Sequence, residues 1–362
     1  VLNAEATCYR MPDLPAAPET PTMPTRRCLL RLLPPLGMAA LARPARSAGP
    51  DWTLAPDQTL APDWTLATEY PATTMPGEGV AHFAAAATTA AAGLLQVRAA
   101  FDAPDGRRSA AILRAVADGS VVAGDAFTGA LAAEAAIFQL SALPFLTGST
   151  ADTARLLAAA RPAYVEALGA RGLTLLYATP WPATGLWSRK PVPGPDALQG
   201  LRVRTYDTAG TAVLQAAGAA PRQISFADAV PLLRAGELDA VLSSGDGGAG
   251  ARLWEILPHF TAIDYASPLS LAFCNTAALA TLPAAVQNAV AEAGRDTEQR
   301  QFQAIASRAG ENQARMQANG VTLAAAPVLR AALAQAAAPV LAAWEAKAGA
   351  QGTMILKAYR AG

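Results

Sequence analysis

The first residues on which chemistry can be built lie in Gly200-Leu-Arg-Val-Arg204. An extended chain alternates its side chains, placing Leu201, Val203 and Thr205 on one side and Arg202, Arg204 and Tyr206 on the other. A guanidinium offers two parallel donors that match a carboxylate, and a low-dielectric cleft strengthens both bonds. An arginine near the carboxyl end of a strand therefore suits capture of an organic anion. A structural ion pair is the other reading of the same residue. A second constellation ends the run Leu238-Asp-Ala-Val-Leu-Ser243-Ser244, where two hydroxyls precede Gly245-Asp246-Gly247-Gly-Ala-Gly250. Serine hydroxyls and amides of such a loop can also hold a carboxylate or hydroxyl, and Asp246 joins them as a candidate contact.

The same glycines satisfy G-x-G-x-x-G, so a dinucleotide-binding oxidoreductase using the Gly245–Gly250 loop is the alternative. That fingerprint requires a βαβ unit with an acidic residue about 20 residues on. Asp264 stands near that distance, but Pro258 interrupts the segment between. Hydrolase chemistry is disfavoured, because the chain has no Gly-Xaa-Ser-Xaa-Gly elbow and neither His82 nor His259 adjoins a convincing nucleophile. Three cysteines, Cys8, Cys28 and Cys274, supply no disulfide framework or zinc cluster, and Cys274 reads as a small buried hydrophobe. No enzyme activity, cofactor or metal is expected. Lysine plus arginine and aspartate plus glutamate balance at 28 each, without a basic stripe, which argues against a nucleic-acid partner.

The elements that must position these residues alternate. Residues 95–99 and 121–124 read as strands, and 109–117, 150–160 and 226–234 as helices. Ser225-Phe-Ala-Asp228 has capping-box spacing. Such alternation argues an α/β fold with mainly parallel sheets. Two stretches, 112–125 and 232–243, share a plan of helix, glycine, and buried strand with a small polar carboxyl end. Ligands gather outside such ends, so two similar lobes facing across a cleft are expected. The last third is helical, with one run from Leu282-Pro283 to about Ala318 and another over 328–348, bent or broken at Pro339. No run of about 20 uninterrupted apolar residues suggests a membrane span.

The amino-terminal part has a different character. Residues 23–48 order a basic segment with Arg26-Arg27, an apolar proline-broken stretch and a small-residue zone ending at Ala48, the layout of an export signal. The paired arginines suggest the twin-arginine route to the periplasm. Residues 1–22 read as an upstream extension. Three six-residue units beginning at Asp51, Asp57 and Asp63 follow, of which only the third should form a strand.

Asp196-Ala-Leu-Gln-Gly-Leu-Arg-Val-Arg204 resembles the Asp-Leu-Lys-Gly-Leu-Lys-Ile-Arg-Val motif of TRAP transporter solute-binding proteins, the DctP-type periplasmic subunits. Leu143-Pro-Phe-Leu146, Ala217-Gly-Ala-Ala-Pro221 with the block to Asp239, Trp254-Glu255, Pro268 and Leu282-Pro283 follow in the family's order, from about residue 64 to 349. The resemblance implies a two-lobe periplasmic-binding-protein fold with crossing strands and a long bridging helix. It also implies capture of a small organic carboxylate, delivery to the membrane subunits of a TRAP permease, and a free, monomeric periplasmic protein rather than a sensory module. On that pattern 1–48 is the extension and signal, and 49–62 a flexible leader. Lobe I takes 63–181 plus 270–309, lobe II with the carboxy-terminal helices takes 182–269 plus 310–348, and 349–362 is a tail.

The family's carboxylate-clamping arginine corresponds to Arg204. Its ligand-contacting asparagine, in Val-Asp-Gly-Gln-Glu-Asn-Pro, is replaced here by Ser243. Tyr70, Phe127, Trp181 and Tyr206 lie near the matched cleft segments and suit a ligand with an apolar or aromatic body. Glu69 and Asp125 can accept hydrogen bonds from ligand hydroxyl or amine groups.

Overall fold

The computed structural model describes residues 61–361 apart from Pro104. The upstream extension, the signal with its twin arginines, the first two six-residue units and the leader to residue 60 lie outside the described residues. The strands are β1 (Asp63–Ala67), β2 (Gln96–Ala100), β3 (Ala123–Phe127), β4 (Leu173–Pro180), β5 (Thr184–Ser188), β6 (Arg202–Thr205), β7 (Ala220–Gln223), β8 (Ala240–Ser244), β9 (His259–Ala262), β10 (Leu269–Asn275) and β11 (Thr322–Ala325). The α-helices are α1 (Met75–Ala90), α2 (Ser109–Ala117), α3 (Thr150–Gly169), α4 (Thr208–Ala216), α5 (Phe226–Arg234), α6 (Gly245–Gly250), α7 (Thr276–Ala280), α8 (Ala284–Ala318) and α9 (Pro327–Ala361).

The strands form two sheets, in the orders β2-β1-β3-β10-β4 and β11-β9-β5-β8-β6-β7. Each is mixed rather than purely parallel. In the first, β1 is parallel to β2 and β3, whereas β10 runs antiparallel to β3 and β4. In the second, β6 is parallel to β7 and β8, whereas β5 runs antiparallel to β8 and β9. The reversed strand in each sheet is the one that arrives from the other lobe. The two crossing segments are laced together: Trp181 N–H donates to Pro268 O, Thr184 N–H to Ala266 O and Tyr265 N–H to Thr184 O, at 2.8–2.9 Å. Helix α8 is the third link, packing first on α1 and β4 and then on α6.

Central strands β3 and β8 are buried along their whole length, as strands covered on both faces must be. Capping fixes the helices around them. Ser225 accepts from the Asp228 N–H at the start of α5, and Asp207 from the Gly210 N–H at the start of α4. Helix α1 begins at Met75, because Thr74 accepts the Gly77 N–H and Pro76 occupies the first turn. His82 consequently sits mid-helix, 2.7 Å from Asp296 on α8.

Two expectations about the carboxyl end are corrected. Helix α9 does not break at Pro339; its non-helical residue is Gly349, at φ 61° and ψ −151°. Residues 350–361 do not trail as a tail, because Ile355, Leu356 and Tyr359 are buried in the core of the first lobe. Helix α9 is also long and apolar enough, by length and composition, to cross a membrane. Leu329, Leu333 and Ala337 are nevertheless buried against the second lobe and Trp344 against the first.

Candidate ligand-binding site

Between the carboxyl ends of the two sheets lies a cavity of about 330 Å³. Both strands of the shared helix-glycine-strand plan reach it at their carboxyl ends, β8 with Ser243 and Ser244 and β3 with the aromatic Phe127 rather than a small polar residue. Tyr70, Phe127, Trp181 and Tyr206 line it, together with Glu69, Arg204, Ser243 and Ser244. Trp181 forms the wall at the first crossing. Its indole N–H donates to Ser270 Oγ at 3.1 Å and its ring meets Tyr70 edge-on at 4.9 Å. Phe127 and Tyr206, from opposite sheets, meet in the same way at 5.1 Å. Phe226 and Thr184 complete the site without having been singled out by sequence. Phe226 carried a signal: it opens α5 directly after the Ser225 cap, at the strand-end side of the sheet.

Strand β6 sets Arg204 as alternation requires, with Val203 and Thr205 buried on the opposite side. The two arginines of this strand part company. Arg202 is exposed and makes a bidentate pair with Asp239, at 2.7 and 2.6 Å. Arg204 is 6% exposed, and its protein partners are carbonyls: Nε donates to Ile224 O at 2.9 Å and Nη1 to Leu242 O at 3.2 Å. Its guanidinium stands 5.5 Å from the Phe226 ring centre and 5.8 Å from that of Tyr206. Among the described residues no carboxylate pairs with it. Burial pushes its pKa below the ordinary arginine value, opposed by the nearby Tyr70, Glu69, Tyr206 and Asp207. A buried cation with donors left over can hold a carboxylate through charge-assisted bonds.

On the facing wall Glu69 accepts at Oε1 from the Ser109 N–H, at 3.1 Å, and from the Ser109 hydroxyl. Behind it, Asp125 is buried and hydrogen-bonded to Thr68 Oγ1 at 3.0 Å. Burial pushes its carboxyl up to about 7, with the Glu69 charge adding to the shift and the Thr68 bond opposing it. Asp125 does not line the cavity.

The glycine-rich segment differs most from its reading as an open loop. It is a short helix, α6, whose first turn is capped by Ser244 Oγ accepting the Gly247 N–H at 3.1 Å. Ser244 thus spends its hydroxyl on the cap, whereas Ser243 faces the cavity. Asp246 points away from the cavity and is 1% exposed. Its Oδ2 accepts the Met75 N–H at 2.8 Å, and its Oδ1 accepts from Arg308 Nε at 2.6 Å and Asn312 Nδ2 at 3.1 Å. Arg308 also reaches Glu78 at 2.9 Å. Asp246 is therefore a latch between α6, α1 and α8 rather than a cavity contact. Glycine at 248 answers a packing need: an added Cβ would lie 2.2 Å from the Trp187 ring. The strand after α6, β9, lies beyond the antiparallel β5, so the βαβ unit that a dinucleotide site needs is not formed here. No group of three or more His, Cys, Asp or Glu among the described residues could hold a metal.

Residues 66–347 match the model of DctP, the bacterial extracellular solute-binding proteins of family 7. The chain belongs to this family. Members are extracytoplasmic solute receptors that bind small organic acids and work with TRAP permeases. Among solved structures it is similar to DctP7, a Bordetella pertussis extracytoplasmic solute receptor binding pyroglutamic acid. The two share 29% identity with a TM-score of 0.80, over 83% of this chain and 100% of that one. A marine metagenome TRAP protein specific for pyroglutamate is 28% identical, with a TM-score of 0.80 over 83% and 99%. A Sulfitobacter sp. NAS-14.1 TRAP protein with bound galacturonate is 17% identical, with a TM-score of 0.76 over 83% and 100%, a likeness of fold alone. No curated protein matches the chain significantly. As a DctP-family receptor the chain has the two-lobe α/β architecture of these proteins.

Proposed function

We propose that this DctP-family receptor captures a small organic carboxylate in the periplasm and delivers it to a TRAP-type permease, acting as a monomer without catalysis. The observation that carries the reading is Arg204: a buried guanidinium with spare donors and no protein carboxylate, facing a cavity walled by aromatic rings. The cavity has ample room for a small acid such as pyroglutamate, the ligand of two relatives described above, and pockets of this kind bury most of their ligand. Ser243 and the aromatic rings Tyr70, Phe127, Trp181 and Tyr206 supply the remaining contacts. Export by Arg26-Arg27 through the twin-arginine route completes the proposal.

A thermal-shift screen of organic acids tests it, because a ligand that binds only the native state raises the midpoint by mass action. The first prediction is that an acid that shifts the wild type fails to shift Arg204→Ala at the same concentration. Calorimetry should give an affinity loss of at least about tenfold, the worth of one charge-assisted contact. Equal shifts of both proteins would exclude the arginine clamp.

A further inference from the structure

Three ionisable side chains of Asp, Glu or Arg type line the cavity, the exposed Asp102 and, on opposite walls, the buried Glu69 and Arg204. Arg204 belongs to the second sheet, and Glu69 to the segment leaving β1 in the first. They form no ion pair with each other among the described residues, yet each lies within the other's electrostatic reach. Glu69 is also held still. Ser109 fixes Oε1 with its N–H and its hydroxyl, and Ser109 Oγ is itself anchored by accepting the Phe127 N–H at 3.0 Å. Among the described residues no donor reaches the second oxygen, Oε2, while the residue is only 8% exposed and lines the cavity.

A ligand that fills this space displaces the water available to Oε2. A buried anionic oxygen without a donor is costly, so a ligand that brings a donor is favoured over one that does not. A second carboxylate at the same place would face a like charge, which costs still more. The carbons between the two polar ends would lie against Tyr70, Trp181 and Phe226.

We propose that Glu69 sets ligand choice: the site takes a monocarboxylate whose body bears an N–H or O–H donor, the carboxylate on Arg204 and the donor on Glu69 Oε2. Lactam acids, hydroxy acids and amino acids fall within that class, whereas plain alkanoates and dicarboxylates fall outside it. The proposal rests on the carboxylate-capture reading above. Glu69 also has a structural task, since its Oε1 caps the free Ser109 N–H at the start of α2. Glutamine keeps an oxygen for that cap and removes the charge.

Calorimetry on the wild type and Glu69→Gln with matched acids separates the two roles. The pairs are a proline-derived lactam acid against the lactone with a ring oxygen in place of the N–H, and hydroxyisovalerate against isovalerate, with glutarate as the dicarboxylate. We expect at least one donor-bearing acid to bind the wild type about tenfold or more tightly than its partner. Glutarate should be excluded, and Glu69→Gln, with an unchanged melting midpoint, should bring the ratio to within about threefold. Equal binding of both members of each pair, tight glutarate binding, or an unchanged ratio in Glu69→Gln overturns the assignment while leaving carboxylate capture intact. If no carboxylate binds the wild type, both readings fall together.

Discussion

Asp125 shows how a single residue can tie the site to pH. Burial raises its carboxyl to about 7, above the value of about 3.8 for a solvated aspartate, so the folded state holds a proton that the unfolded chain has released. The stability this group contributes is whole below about pH 4 and declines as pH rises through 7. Asp207 is pushed up to about 7 by burial as well, its bond from the Gly210 N–H opposing. Asp125→Asn should therefore flatten part of the fall in melting temperature between about pH 4 and 7 and stabilise the protein at pH 8, on the order of 2 kcal/mol. Melting curves of both proteins across that range provide the check, and an unaltered slope would exclude the buried proton. Legibility at this scale followed sequence distance. Strand alternation put Arg204 on one face together with Arg202, and the family resemblance singled it out. Glu69 could be suspected but not its anchor, because Ser109 lies 40 residues away. Asp246 was misread for the same reason, its partners being 171, 62 and 66 residues distant.

Elements were legible where their own residues specify them. Helices α2 and α5 lie over the residues that periodicity indicates, with the start of α5 fixed by its own Ser225 cap and that of α2 by the distant Glu69. Helix α6 was not, since four of its six residues are glycine, a poor helix former. Tertiary contacts impose it: Ser244 caps it, Asp246 latches it and Gly248 lets the Trp187 ring lie against its backbone. Gly248→Ala should destabilise the protein by about 1–3 kcal/mol through overpacking of Trp187, which is fully buried. Denaturant titration measures this, and a variant of wild-type stability would show that the ring has room to shift. The mixed sheets escaped sequence reading too, because nothing within β5 or β10 states which lobe the chain has just left.

At the scale of the whole molecule the two lobes also touch across the cleft mouth. Arg108, just before α2, donates to Asp228 of α5 at 2.8 Å, and this contact holds the Asp228 carboxyl below the usual range. Both side chains are partly exposed, so the pair is worth no more than about 1 kcal/mol and weakens with salt. Arg108→Ala should speed ligand release up to about fivefold at low ionic strength and leave release at high salt nearly unchanged. Stopped-flow fluorescence of Trp181 with the acid identified in the screen would report it. Equal rates for the two proteins at low salt would remove the pair from any part in retention.

Helix α9 gives the molecule a property that neither lobe has alone. Its first half is rooted in one core through Leu329, Leu333 and Ala337, and its last turns in the other through Ile355, Leu356 and Tyr359. Trp344 already belongs to that second root, so Gly349, in a backbone conformation that side-chain-bearing residues rarely adopt, lies within it, and the span between the lobes is the helical stretch from Ala337 to Trp344. The helix is thus a tether of fixed length, with Pro339 inside the stretch that bridges its two roots. Because the roots are anchored by burial, any parting of the lobes must be absorbed in that bridging stretch, in α8 or at the crossing strands. The tether sets how wide the receptor can gape, and so how large a guest can enter and how far it must open to let one go.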